Sequence, residues 1–224
     1  MEIESRDSVS LKPAELDELG QLLVAAGSLV DDSLLDHHIE RFALIATISV
    51  DGAFHGFLFG SLERVGGTPC VLWGAGVAKR GRQAGPAVRA MVGELYRRAA
   101  ISFPDEDVLV AGRISHASGY SLLTVLDDVV PRGGYKPTGE ERAWGRRLAR
   151  RFGCDANYDQ HAFRVAANGA SPAILNTTHV KGGTKAATAL FADVDVEKGE
   201  SLIAFGWAGA DKLVADLATY GRPE

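Results

Sequence analysis

The stretch that most constrains this chain runs from Val71 to Ala99, where an apolar run enters a basic, glycine-rich turn and leaves it as a helix. Val71, Leu72 and Trp73 read as a buried strand. Beyond the turn, Val88, Met91, Val92, Leu95, Tyr96 and Ala99 fall at offsets of 0, 3, 4, 7, 8 and 11, one face of an amphipathic helix. Pro86 suits the first helical turn, where a missing N–H leaves no bond unmade. Gly81 and Gly85 let whatever sits there approach the backbone closely. The free N–H groups of that turn, the positive end of the helix dipole, and Arg80 and Arg82 together form an anion site. A phosphate-bearing ligand is its natural occupant. The alternative is an ordinary strand-to-helix turn with solvated arginines.

Two phosphate-binding turns are excluded. There is no G-x-x-x-x-G-K-[ST], and Gly74-Ala75-Gly76 is followed by Lys79 where a dinucleotide fingerprint needs its third glycine. Arg82-Gln83-Ala84-Gly85-Pro86-Ala87 does match [RQ]-x-x-G-x-[GA], with Val77 closing the strand before it. This turn resembles the acyl-coenzyme A pyrophosphate loop of the GNAT acyltransferase superfamily. The resemblance implies an α+β fold with a mixed, mostly antiparallel sheet flanked by helices. It also implies acetyl-coenzyme A as acyl donor, no metal, and a coenzyme site made by Ala75, Val77, Arg82, Gln83, Ala84, Gly85, Pro86 and Ala87.

The order of elements is similar to that fold. A first helix starts near Pro13 and presents Leu16, Leu19, Leu22, Leu23 and Ala26 before Gly27 ends it. Asp31, Asp32 and Ser33 are caps for a second helix carrying Leu34, Leu35, His38, Ile39 and Phe42. Leu44 to Val50 and Phe54 to Leu62 read as strands joined by the hairpin turn Asp51-Gly52, and Gly66-Gly67 leads to a third strand, Cys70 to Val77. After the central helix come a strand at Val108 to Ile114 and a short helix from Ser118 to Leu126. The strand expected before the first helix has a weak candidate in Ile3 to Val9. The resemblance covers residues 8–135.

Thr138-Gly139-Glu140-Glu141 is a capping box for a helix with Trp144, Leu148 and Phe152 inward and five arginines outward. Phe191 to Val196 and Leu202 to Trp207 read as a hairpin around Lys198-Gly199, and Asp211 to Ala218 as a closing helix. The expected division is a coenzyme-binding domain over 1–153 and an extension over 154–224 packed on the same sheet. That tail is expected to shape the acceptor side and to offer a homodimer contact.

Bulk properties narrow the partners. The net charge of -5 argues against nonspecific binding to nucleic acid or an anionic membrane, so the arginine face reads as solvated. No apolar run approaches the ~18 residues of a membrane span. The acidic start, Met1-Glu2-Ile3-Glu4, is unlike a signal peptide, and two cysteines make no disulfide framework, so a cytoplasmic location is expected. Asp36, His37, His38 and Glu40 lack a metal-ligand spacing and read as a helix face. Cys70 reads as a packed thiol.

The resemblance implies direct attack of an amine on a thioester. Backbone N–H groups of the strand before the turn should polarise the carbonyl, and Gly74 and Gly76 fit that task, or else only bend the strand. The amine proton should leave through water to Glu63 or His116. The leaving thiolate should take a proton from Tyr120, with Tyr135 as second choice. Two readings follow. One is an N-acetyltransferase acting on a primary amine of a small molecule or protein; the other is a non-catalytic protein of the same fold that senses coenzyme A or serves as an interaction module.

Overall fold

Two turns, each with consecutive positive φ angles, set the frame of the sheet. The computed structural model describes residues 1–28, 33–167, 174–211 and 213. Asp51 and Gly52 (φ 51° and 76°) join β2 (Leu44–Val50) to β3 (Ala53–Val65), and Gly66 and Gly67 (φ 61° and 91°) join β3 to β4 (Thr68–Ala78). Such turns twist in the sense of the strands they connect. β1 (Glu2–Asp7) pairs antiparallel with β2, so the weak N-terminal candidate is an edge strand. It ends at Asp7 because Ser8–Ser10 coils into a 3₁₀ turn, where the Ser8 hydroxyl donates to the carbonyl of Phe42 at 2.6 Å.

Helix α3 (Ala84–Ser102) carries the chain from β4 to β5 (Val108–Ile114), which returns parallel to β4. The pairing is brief: Cys70 to Trp73 face Leu109 to Gly112, and beyond Trp73 the two strands no longer pair with each other. Here β4 also carries a bulge, since Gly60 faces Trp73 while Leu58 faces Gly76. Both glycines serve close packing as well. A Cβ on Gly74 would sit 2.9 Å from the Phe42 ring, and one on Gly76 would sit 2.7 Å from the carbonyl oxygen of Phe57.

Of the remaining strands, β6 (Asp127–Val130), β7 (Tyr158–Asp159), β8 (Arg164–Val165) and β9 (Ser201–Ala208) extend the same sheet. The order is β1-β2-β3-β4-β5-β9-β8-β7, with β6 also on β9, and every pair but β4–β5 is antiparallel. The expected hairpin is corrected: Phe191 to Asp193 lies in turns, Val196–Lys198 coils into a 3₁₀ turn, and β9 lies against β5 instead. The open edge of β5 bonds β9 along its whole length, from Val108 opposite Ala208 to Ile114 opposite Leu202.

The sheet has helices on both faces. Val88, Met91, Leu95 and Tyr96 of α3 pack on Trp73 and Val110. On the opposite face lie α1 (Pro13–Ala25), α2 (Leu34–Arg41) and α5 (Gly139–Arg151), whose Leu19, Leu23, Leu34 and Leu148 meet Phe57, Phe59, Leu72 and Phe205. This is the α+β architecture that the resemblance implies. The helix expected over Ser118 to Leu126 is shorter: α4 spans Ala117–Tyr120 and runs on as a 3₁₀ turn through Leu123. The hydroxyls of Ser121 and Thr124 donate to the carbonyls of Ser118 and Ser121, competing with the helical ladder. One more helix, α6 (Lys185–Leu190), precedes β9. The expected caps Asp31 and Asp32, and the closing helix apart from residues 211 and 213, lie outside the described residues. Among the described residues no helix is long and apolar enough to cross a membrane.

Candidate active site

The turn between β4 and α3 is built from backbone bonds that leave its helical end open. Lys79 donates its N–H to the carbonyl of His55 at 2.7 Å, which fixes the exit from β4. Gly81, at φ 149°, reverses the chain, and Ala84 N–H donates back to its carbonyl at 3.2 Å. Among the described residues the amides of Gln83 and Gly85 have no hydrogen-bond partner, and Pro86 has no N–H. Arg80 and Arg82 are exposed around this end, while Ala84 and Ala87 are buried beneath it. Arg89 joins them: its guanidinium lies 3.4 Å from where a Gly85 side chain would begin. Sequence reading missed Arg89, although its position four residues past Gly85 places both on one helix face.

Two cavities open beside this turn and share Ala26 and Arg80. The first, of ≈ 440 Å³, lies between the end of α1, the start of α2 and the ends of β4 and β5, and is lined by Ala75, Ser115, His116, Asn176 and Glu197 among others. The second, of ≈ 680 Å³, runs past Glu18, Phe54 and Lys79. His116 is half-buried at the start of α4, with Nδ1 2.7 Å from the Ser115 hydroxyl. Burial holds its pKa below the usual histidine value, which favours the neutral ring. In the tautomer that donates Nδ1–H to Ser115, Nε2 is the proton acceptor.

The other sequence-named residues lie elsewhere. Glu63 faces Cys70 near the far end of β3, and its carboxylate pairs with Arg151. The Tyr120 hydroxyl donates to the carbonyl of Pro131 at 2.6 Å, and its ring meets Phe191 edge-on. Tyr135 is exposed, donates to Glu141 at 3.1 Å, and lies under the Arg132 guanidinium. Val77 is buried within β4. Of the four catalytic candidates, only His116 borders the cavity lined by Ala75.

Part of the tail lies at the end of β4. Ile174 and Leu175 lie where β4 and β5 part, Leu175 bridging to Gly76 and Ile174 to Arg113. Gly76 N–H donates to the Ile174 carbonyl at 3.2 Å, and Asn176 N–H donates to the Gly76 carbonyl at 2.7 Å. The segment continues over the turn, with His179 Nε2 2.6 Å from the carbonyl oxygen of Ala78 and the Val180 side chain beside Gly85. The tail thus runs along the start of the turn between β4 and α3.

Comparison with known proteins gives fold likeness only. No family model matches the chain, and no curated protein matches it. Among solved structures it is similar to an aminoglycoside 6'-acetyltransferase type Ii, at 15% identity and a TM-score of 0.45 over 59% of this chain and 88% of that one. It is also similar to N-acetylglutamate synthase from Neisseria gonorrhoeae, at 14% identity and a TM-score of 0.42 over 67% of this chain and 32% of that one. A GNAT family acetyltransferase from Brucella melitensis in complex with acetyl-CoA matches at 14% identity and a TM-score of 0.35, over 49% of this chain and 75% of that one. In the order and pairing of its own elements, from the β2–β4 meander through the basic turn and α3 to the parallel β5, the chain has a GNAT-like α+β fold.

Proposed function

We propose that this protein transfers an acetyl or other acyl group from coenzyme A to a primary amine of a small molecule. The observation that carries the reading is the junction itself: a bulged β4 that parts from β5, then a basic turn whose Gln83 and Gly85 amides are unpartnered among the described residues, beside a cavity bordered by His116. Those amides, with Arg82 and Arg89, fit a pyrophosphate, because they supply donors and positive charge at a helix N-terminus. Bound coenzyme A supplies an acyl group activated as a thioester.

The chain's own residues supply binding and proton transfer. The turn holds the anion, and the Gly76 N–H is the donor suited to a thioester carbonyl once it is released from Ile174. The amine nitrogen bonds the acyl carbon as the C–S bond breaks; His116, kept neutral by its lowered pKa, takes the amine proton at Nε2, and the thiolate leaves and takes a proton from water. Glu63 and Tyr135 take no part in this reading, and Tyr120 is not used as an acid because its hydroxyl is committed to Pro131. The ≈ 440 Å³ cavity suits a small-molecule acceptor better than a protein surface.

Acetyl-coenzyme A titration by calorimetry tests the donor half of the proposal. The reading expects saturable binding to the wild-type protein and loss of binding in Gly85→Glu. Equal heats in the two proteins, both folded, would remove it.

A further inference from the structure

Resting on the acyl-coenzyme reading above, we infer that residues 174–180 are a built-in strap that closes the donor channel in the resting protein and withdraws as coenzyme A binds.

The strap imitates what it excludes. An amide N–H has one proton, and that of Gly76 is given to Ile174, while the Gly76 carbonyl is taken by Asn176. A donor whose thioester carbonyl takes the Gly76 N–H, as proposed above, competes with Ile174 for that one proton. The arm of coenzyme A is itself an extended chain of amides, so one strand edge can serve either occupant in turn. The overlap continues along the chain. His179 sits on the carbonyl oxygen of Ala78 at the end of β4, and Val180 lies against Gly85, over the first turn of α3 where the pyrophosphate reading places its anion.

A latch and a pivot are both visible. The Asn176 side chain donates to the Ser28 hydroxyl at 2.7 Å and to the Ala26 carbonyl at 3.3 Å, tying the strap to the end of α1. Its Oδ1 accepts from Thr178 N–H at 3.1 Å, which holds the strap's own bend. Ser118 closes the other side by donating to the Thr177 carbonyl at 2.8 Å. Directly after the strap, Gly182 and Gly183 adopt φ 157° and 104°, conformations open to glycine and strained for other residues. Leu175 is buried in the closed form, so a ligand must bind the open form preferentially to displace it.

When only a fraction of molecules is open, apparent affinity falls by that fraction. Asn176→Ala removes the latch bonds without touching the turn's arginines or amides, and His179→Ala loosens the far end. Each variant should therefore bind acetyl-coenzyme A about tenfold more tightly than wild type by calorimetry, the factor expected for losing one or two such hydrogen bonds. Hydrogen–deuterium exchange supplies a readout in the unaltered protein: peptides covering 174–183 should exchange faster when acetyl-coenzyme A is saturating. Unchanged or weaker binding by both variants, with no faster exchange, would overturn the strap while wild-type binding left the coenzyme reading standing. No binding by wild type or either variant would overturn that reading, and the strap with it.

Discussion

Gly76 gives its amide proton to the carbonyl oxygen of Ile174 at 3.2 Å, although nearly a hundred residues separate them in the chain. The bond forms because β4 and β5 part after Trp73 and Gly112, which leaves backbone groups of β4 without a sheet partner. Buried backbone donors find partners. In this protein residues 174–176 supply them, at the strand edge and beside the cavity where the proposed chemistry takes place.

His116→Gln should lower kcat by on the order of 10²-fold or more while leaving acetyl-coenzyme A affinity unchanged, as expected for loss of a general base. The wild-type pH profile carries a second check. Burial lowers the pKa of His116, so the active neutral ring persists below the usual histidine value, and the acid limb of kcat/KM should have its midpoint below ~6.5. A limb at or above that value, or a glutamine variant with full kcat, contradicts the assignment.

Stability should fall in mild acid, because His38 is buried between Phe42 and Phe59 and its pKa is lowered to about 4, chiefly by desolvation. The folded value lies below the unfolded one, so the folded protein binds fewer protons. Its stability is full above the unfolded value of ~6.5 and is lost as pH falls through that value towards the folded one. The loss approaches roughly 3 kcal/mol. Denaturant midpoints measured across this range should show the slope in wild type and a flatter one in His38→Phe.

Gly76→Ala should destabilise the fold by on the order of 1–3 kcal/mol, since the new methyl would meet the backbone of Phe57 and Leu58 at 2.7 and 2.8 Å. Gly133→Ala, which meets nothing within 4 Å, is the matched control. Equal melting temperatures for the two variants would show that the tight packing around the bulge carries no such cost.

Much of the fold is legible because its signals are local and periodic. The apolar face of α3, the turns Asp51-Gly52 and Gly66-Gly67, and the Thr138–Glu141 capping box all have the roles their side chains suggest. His38, read as one of the apolar positions of α2, is indeed buried there. What escapes the sequence is pairing at long range through the backbone. Nothing in Ile174-Leu175-Asn176 marks it as the partner of Gly76, because the bonds use groups that every residue has. The same holds for β9, whose Phe205 and Trp207 suggest a strand but not that it would lie against β5. Tyr120 shows the reverse case: its residue type suits an acid, while the nearby Pro131 carbonyl takes its hydroxyl.

The proposed activity is tested most directly by the amine-dependent release of free thiol from acetyl-coenzyme A. The purified protein would be offered a panel of small primary amines, with mass spectrometry of each product. The account expects at least one amine to give matched amounts of thiol and acylated product, at a rate that collapses in both His116→Gln and Gly85→Glu. Thiol release that ignores the amine, or an acylated product formed equally well by both variants, would contradict it.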